Sequence, residues 1–562
     1  MHESHVSRRL FLRRAASMPL GLIVALPLLE ACQPAAPPAP TALPKLAEAK
    51  PVEAAKQALP ASGQAVATQA APAAALAGAP KRGGRLRVSL VSDPTNLDPH
   101  TSTATTETYV QRQVYDPLVD LDENLNPVPI LAQAWEQPDP TTLIFKLRPG
   151  IKFHDGTELD AAAVKWHFER QLDPATKAFN RTLLESIKAV DAVDSTTVRL
   201  SLKEPDAALL LTIANSGAGR VVPKSAFDKF GADGLVRNPV GSGPFKFVEW
   251  VQGSHITLRR NDSYWQKDLP YLDEIVFRTV PDSGVKLTEL RTGNSDFIDD
   301  FLVRDANTIK GDQAFEVSMV PGLGYLRIEL NHGKPPFDNK PLRQAFAAAV
   351  NRSAIDRVVF LGSGAIAQGP IPPNSWAYDK ELRGWGPPAN PELAKQKLVE
   401  GGQSSGFKFT FDVNNATQRV QISQLVQEQL RQVGMEMEIL ILEPGPYGAR
   451  RPSLEYVSRL ATWSGRADPI GNMYSHFVTG GANNFGAYSN PEVDRQLEIA
   501  RTSSVREERI RAFQAAQRLI VEDAPVVFLY HEPWIRAWSS KLKGYKALAD
   551  GAVRLGGVWL ES

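Results

Sequence analysis

Leu326-Arg327-Ile328-Glu329-Leu330, with Asp338-Asn339-Lys340-Pro341-Leu342-Arg343-Gln344-Ala345-Phe346 just beyond it, sets two periodicities side by side. The first run alternates apolar and polar residues with the two-residue period of a half-buried strand. The second offers capping residues just before Pro341 and continues with good helix formers, which marks the start of a helix. Strand signals recur at Leu86, Val88 and Leu90, at Val198, Leu200 and Leu202, and at Phe409, Phe411 and Val413. Met437, Ile439 and Ile441 add another. Asn490-Pro491-Glu492 repeats the helix start and places Val493, Leu497 and Ala500 on one face. A further helix, roughly 505–523, gathers Ile510, Phe513, Ala516 and Ile520. These apolar faces read as core, and the irregular alternation of strand and helix reads as α/β.

The formal charge is +1, from 63 basic and 62 acidic side chains. Neither sign dominates, which argues against a nucleic-acid binder whose affinity rests on phosphate neutralisation. A body of this length exceeds one ordinary core and divides into two or three lobes. No internal repeat is evident, and 40 glycines and 43 prolines forecast many loops.

The N-terminus reads as an export signal over 1–31. Ser7-Arg8-Arg9-Leu10-Phe11-Leu12 resembles a twin-arginine signal, and a short apolar run follows from Ala15 to Leu29. That run is short for a membrane span and contains Pro19, Gly21 and Pro27. Leu29-Glu30-Ala31-Cys32 resembles a lipobox, with Cys32, the only cysteine, as the acylated residue. Glu30 departs from the small neutral residue usual there. An uncleaved span and an inert thiol are the competing readings. From Gln33 to Arg82, alanine and proline supply 19 and 9 residues and no aromatic appears. Such a stretch cannot bury enough surface to offset its ordering entropy, so 32–82 reads as a disordered tether. It would span about 40 Å as a coil and about 150 Å as stretched polyproline. The expected location is extracytoplasmic, with the membrane reached through lipid at Cys32.

A catalytic constellation is not found. Gly402-Gln403-Ser404-Ser405-Gly406 fits the serine-hydrolase pattern G-x-S-x-G, but a helical stretch at 393–399 precedes it and the strand at 409–413 follows. A nucleophile elbow needs the reverse order. The nine histidines form no helical zinc pair, and no phosphate-binding loop is present. The chain reads as a binder with no cofactor and no metal; an exported lipoprotein hydrolase is the enzymatic alternative.

Seven ordered stretches resemble the family-5 extracellular solute-binding proteins of ABC importers, the group of oligopeptide, dipeptide and nickel-complex receptors. They are Asp93-Pro94-Thr95-Asn96-Leu97-Asp98-Pro99; Val114-Tyr115-Asp116-Pro117-Leu118-Val119; and Leu147-Arg148-Pro149-Gly150-Ile151-Lys152-Phe153-His154-Asp155-Gly156. Then come Asn238-Pro239-Val240-Gly241-Ser242-Gly243-Pro244-Phe245; Leu258-Arg259-Arg260-Asn261 with Tyr264-Trp265; Pro341 to Phe346 with Asn351-Arg352; and Tyr488-Ser489-Asn490-Pro491-Glu492-Val493-Asp494. The resemblance implies a two-lobed periplasmic-binding-protein-like fold of type II, the large oligopeptide-binding class, with an extra subdomain in the first lobe. It places lobe I at 83–326 with the subdomain at about 126–237, lobe II at 327–528, and a return to lobe I at 529–562. Crossing segments are expected near 325–331 and 526–532. The implied partners are a small-molecule ligand and ABC permease subunits, with the receptor acting as a monomer. A surface sensor or chaperone-like lipoprotein of the same fold is the alternative.

In the peptide-binding relatives, a tryptophan three residues before an aspartate stands in the cleft, and that aspartate pairs with the ligand's ammonium group. Here Trp463-Ser464-Gly465-Arg466-Ala467-Asp468-Pro469 keeps the tryptophan and puts Arg466 in the aspartate's place. An arginine repels an ammonium and suits a carboxylate, phosphate or sugar hydroxyl. An ordinary free peptide is therefore not the expected ligand. Arg466 has three readings: an ion pair with Asp468 or Asp494, contact with ligand, or exposure to solvent. Asp468 is a second candidate for the ammonium role, and Trp463 is either cleft wall or core. Asn96, Leu97, Tyr109, Tyr325, Asn484 and Tyr488 complete the candidate ligand-binding set.

Overall fold

A computed structural model describes residues 79–561 apart from Thr103 and Pro387. The signal read at 1–31 with Arg8 and Arg9, Cys32, and all but the last residues of the tether lie outside the described residues.

Three sheets of four or more strands, with two small two-stranded ones, carry the described residues. A seven-stranded sheet runs in the order Phe315–Pro321, Pro533–Ser539, Phe297–Asp299, Arg85–Leu90, Glu274–Thr279, His255–Arg260, Phe245–Val251. Arg85–Leu90 lies parallel to both of its neighbours, and Leu86, Val88 and Leu90 are buried as their alternation predicts. A six-stranded sheet runs Ala365–Ile366, Val526–His531, Tyr325–Leu330, Ser458–Trp463, Phe407–Asn414, Met435–Leu442. Helices Lys340–Ala349 and Thr417–Arg431 bury Leu342, Phe346, Ile422 and Val426 against Phe409, Phe411 and Leu460 of that sheet. An antiparallel four-stranded sheet, Ala132–Asp139, Thr142–Leu147, Thr197–Leu202 and Ile187–Asp194, closes over a core of its own with helix Ala161–Leu172. The chain passes between the two large sheets twice, at 322–324 and at Glu532. This is the two-lobed α/β architecture of type II periplasmic binding proteins.

The strand Tyr325–Leu330 departs from the half-buried expectation, because all six residues are buried. It lies between Ser458–Trp463 and Val526–His531, so both of its faces are covered. Arg327 and Glu329 tolerate this position by pairing: Glu329 accepts from Arg327 at 2.5 and 3.0 Å and from Arg451 at 2.6 Å, with Arg459 at 3.8 Å. Burial alone raises the Glu329 carboxyl, but Arg327 and Arg451 outweigh it and hold the group below its ordinary value.

Two smaller departures have local causes. On helix Arg506–Asp523 the buried face takes Arg509, which pairs with Asp468 at 2.7 Å, and leaves Ile510 half-buried. Asn339 stands at its helix N-cap, yet its amide donates to the Gly401 carbonyl at 3.2 Å instead of capping. Asn490 does cap, accepting from the amides of Glu492 and Val493. The G-x-S-x-G run is a turn between helix Pro391–Glu400 and strand Phe407–Asn414, the order opposite to a nucleophile elbow.

Burial holds several histidines neutral. His154, His167 and His531 are lowered to about 4 and His332 to about 3, each chiefly by desolvation. Between those values and about 6.5 the unfolded chain binds protons that the folded state refuses, so stability rises with pH there. Asp116, raised by burial to about 7, runs the opposite way over roughly the same range. The histidines outnumber it. Thermal unfolding followed by circular dichroism should show Tm falling by roughly 10 °C or more from pH 7 to pH 4.5. The fall should steepen in Asp116→Asn.

Candidate functional site

Two cavities meet where the chain changes sheet, and they share the walls Ser464 and Trp534. The larger, about 520 Å³, is bounded by Asp300, Leu302 and Ile535 from the first sheet's side and by Tyr325, Thr462 and Trp463 from the second. The smaller, about 180 Å³, is bounded by Tyr109, Arg112, Arg220, Arg466 and Asp550 among others. Roomier hollows of about 650 and 810 Å³ lie along 381–393 with 518–522 and along 408–438, away from the changeover.

The loop that carries Trp463 and Arg466 is fixed by one side chain. Asn472, on helix Ile470–Phe477 and 2% exposed, accepts from Trp463 Nε1 at 3.0 Å and from the Arg466 amide at 2.8 Å. Its own amide donates to the carbonyls of Leu323 and Arg466, both at 3.3 Å. Its backbone carbonyl accepts from the Tyr325 hydroxyl at 2.9 Å, which in turn accepts from Arg327 at 2.9 Å. Gly465 completes the turn at φ +83°, where a Cβ would stand 2.2 Å from the Leu323 carbonyl carbon. The buried ion pair of the second sheet is thus continuous, bond by bond, with the cleft surface.

Arg466 meets no carboxylate among the described residues. It donates to Ser464 Oγ at 3.2 Å and the Gly465 carbonyl at 2.7 Å, and its guanidinium lies 4.7 Å from the Trp463 ring centre. Burial pushes its pKa down. Asp468 is buried and engaged by Arg509, Asp494 accepts from the Thr479 amide, and so neither pairs with Arg466. Asp468 borders neither cavity.

The remaining candidates divide. Tyr325 and Trp463 line the larger cavity and Tyr109 the smaller. The Tyr109 hydroxyl is held by Asp299 and by Arg536 at 3.1 Å. Asn96 stitches its own loop through Thr101, and Leu97 is core with no exposure. Asn484 and Tyr488 line a separate hollow of about 20 Å³; Asn484 bonds the Val478 and Tyr488 carbonyls, and Tyr488 bonds Asp523. Sequence reading missed Asp300, Arg112, Arg220, Trp534 and the Arg419–Glu532 pair, which is bidentate at 2.6 and 2.8 Å. None sits in a run with a local signature. Only the fold brings residues 112, 220, 300, 466 and 534 to one place.

Two lobes, a double crossing and a cavity at the crossing define a periplasmic-type ligand-binding protein. Residues 126–485 match the family described as bacterial extracellular solute-binding proteins, family 5. The glutathione-binding protein GsiB of Pectobacterium atrosepticum is 31% identical over 475 residues, covering 82% of this chain and 91% of that protein. The fold also matches DppA, an ABC transporter-associated periplasmic binding protein from Helicobacter pylori in complex with the peptide STSA. That match has a TM-score of 0.75 and 28% identity over 86% of this chain and 99% of that one. AgaA of A. tumefaciens R10, in complex with agropinic acid, gives 0.71 and 26% over 85% and 99%. The chain belongs to the family-5 extracellular solute-binding proteins. It is a substrate-binding receptor of the kind that serves ABC importers of peptides or similar solutes.

If Asn472 is the fastener of the loop, Asn472→Ala should cost about 2–4 kcal/mol in denaturant unfolding, since it leaves buried donors and acceptors unmet. Glu329→Gln should cost about 3–5 kcal/mol by uncovering buried guanidinium groups. Unchanged unfolding midpoints in both would refute the bonded path from strand to cleft.

Proposed function

We propose that this receptor is tied to the outer face of the membrane by lipid on Cys32, closes over a small polar solute, and delivers it to an ABC permease. The observation that carries the ligand reading is Arg466, paired with no carboxylate among the described residues and bordering the smaller cavity beside Trp463. A ligand ammonium at that spot would meet a like charge in a poorly solvated place, whereas an acid group or a hydroxyl would be bound. The ligand is therefore a modified peptide, sugar or other polar organic solute and not an ordinary peptide anchored by its free N-terminus. The ligands in the relatives' names, glutathione and agropinic acid, fit that description.

Lobe I extends over 83–326 with a subdomain near 126–237, lobe II over 327–528, and the chain returns to lobe I at 529–562. Sheet membership supports this division to within a few residues: the seven-stranded sheet draws on 85–321 and 533–539, and the six-stranded sheet on 325–531. Residues 325–326 and 529–531 thus go with lobe II. Closure follows if ligand binds the closed form more tightly than the open one.

Native mass spectrometry of the purified protein tests the ligand. A retained pool of ordinary α-linked peptides with free amino termini overturns this reading, whereas a γ-linked peptide such as glutathione does not. In calorimetry with the retained ligand, Arg466→Asp should weaken binding roughly tenfold, about 1.4 kcal/mol. Unchanged affinity assigns Arg466 to structure. Cys32→Ser should move the protein from the membrane fraction to the soluble one without altering affinity; continued membrane retention rules out the lipid anchor.

A further inference from the structure

The smaller cavity carries more positive charge than its surroundings balance. Arg112 stands 3.2 Å from Asp120 and 3.8 Å from Asp550, and Arg554 pairs with the same two carboxylates at 2.6 and 2.7 Å. Among the described residues Arg220 and Arg466 form no ion pair; Arg220 feels Asp120 and Asp550 only at longer range. On the cavity wall three guanidinium groups, Arg112, Arg220 and Arg466, stand with one carboxylate, Asp550, an excess of two positive charges. Arg220 is only 3% exposed, and its one side-chain bond is to the neutral Gln111 Oε1 at 2.8 Å. The nearby Asp299 offers no relief, since Arg536 binds it at 2.9 Å. A buried guanidinium without a counter-ion is costly, and arginine does not discharge by losing its proton.

The larger cavity has the opposite bias. Arg419 and Glu532 cancel, and Asp300 remains as the carboxylate on the cavity wall, with Lys286 its counter-charge beneath the wall. Its carboxylate takes no hydrogen bond from any described residue, and its backbone is held at φ +51°, an uncommon conformation for a side-chain-bearing residue. Lys286, from below, bonds the backbone carbonyls of Asp299 and Asp300 at 2.8 and 3.1 Å and leaves the carboxylate to the cavity. Asp300 itself is solvent-accessible; partial desolvation and Asp299 raise its carboxyl while Lys286 and Arg419 pull it down.

We infer that the paired cavities take an acidic zwitterion: two acid groups among Arg220, Arg466 and Arg112, and one basic nitrogen at Asp300, with the ligand passing Ser464 and Trp534. This rests on the receptor reading above and adds the ligand's charge pattern. It also reverses the polarity implied by the family resemblance, since acid is bound where the peptide receptors hold ammonium. Guanidinium forks match carboxylates in bidentate geometry, which gives the smaller cavity its selectivity.

The test is a thermal-shift and calorimetric comparison of the full chain with four probes. Glutathione supplies two carboxylates and one ammonium; its diethyl ester and its N-acetyl derivative remove one charge type each; maltose is neutral. Glutathione should bind, and either capped form should bind at least about tenfold more weakly. Arg466→Gln and Asp300→Asn, both at cavity-facing and accessible positions, should each weaken glutathione by a similar factor. Arg220→Gln should do the same if it folds. Asp300→Asn should lose discrimination against the N-acetyl derivative while keeping that against the ester. Equal binding of all charged forms, or binding of maltose alone, overturns the charge pattern and leaves the receptor intact. Binding of no probe overturns the inference, and failure to retain any ligand in native mass spectrometry would then count against the receptor reading itself.

Discussion

The carboxylate of Glu329, sunk between three guanidinium groups in the middle of a sheet, is the constraint on which the cleft depends. A strand buried on both faces would ordinarily be apolar throughout. Tyr325–Leu330 instead carries two charges, and it can do so only because Arg327 and Arg451 close on Glu329 at hydrogen-bonding distance. Such a pair adds little stability over an apolar core. Its consequence here is positional: Arg327 also donates to Tyr325, Tyr325 to Asn472, and Asn472 fixes both Trp463 and Arg466. The cleft wall is therefore rigid on the second lobe's side, and the side chains that meet ligand are held by groups that never touch it.

The same logic governs the first lobe's side. Asp299, Tyr109 and Arg536 form a buried triad that joins three separate parts of the chain, and Arg536 also binds the Gly551 carbonyl at 2.5 Å. Gly551, at φ +71°, lies so close to Trp534 that a Cβ would stand 2.3 Å from the indole. Trp534 is thereby wedged between the two cavities. Each lobe presents a cross-bonded face, and the chain links the two large sheets through short passages at 322–324 and Glu532, the kind of connection a hinged receptor uses.

Much of the fold was legible in sequence because its signals are local. Leu86, Val88 and Leu90, or Val493, Leu497 and Ala500, declare their faces by spacing alone, and each is buried. Asn490 capped its helix as read. The failures were equally local in cause. Arg509 displaced Ile510 from the buried face because Asp468 waits for it across the interface, and no periodicity reports a partner 41 residues away. The candidate site was legible at Trp463 to Arg466, where one run carried it, and at Tyr109 and Tyr325, which also line the cavities.

By itself the sequence determined the α/β class, the two-lobed family, and the unusual arginine at 466, since those rest on spacing and on residue types within short windows. Tertiary structure decided what surrounds that arginine. Arg112 and Arg220 reach the smaller cavity, Asp300 the larger, and Trp534 the wall between them, from distant segments that meet only after both large sheets have formed. Charge balance is a property of neighbours in space, and Coulomb energy falls with distance through the fold, not along the chain. The composition is nearly neutral, yet it separates into a positive chamber and a negative one a wall apart, and only folding could perform that separation.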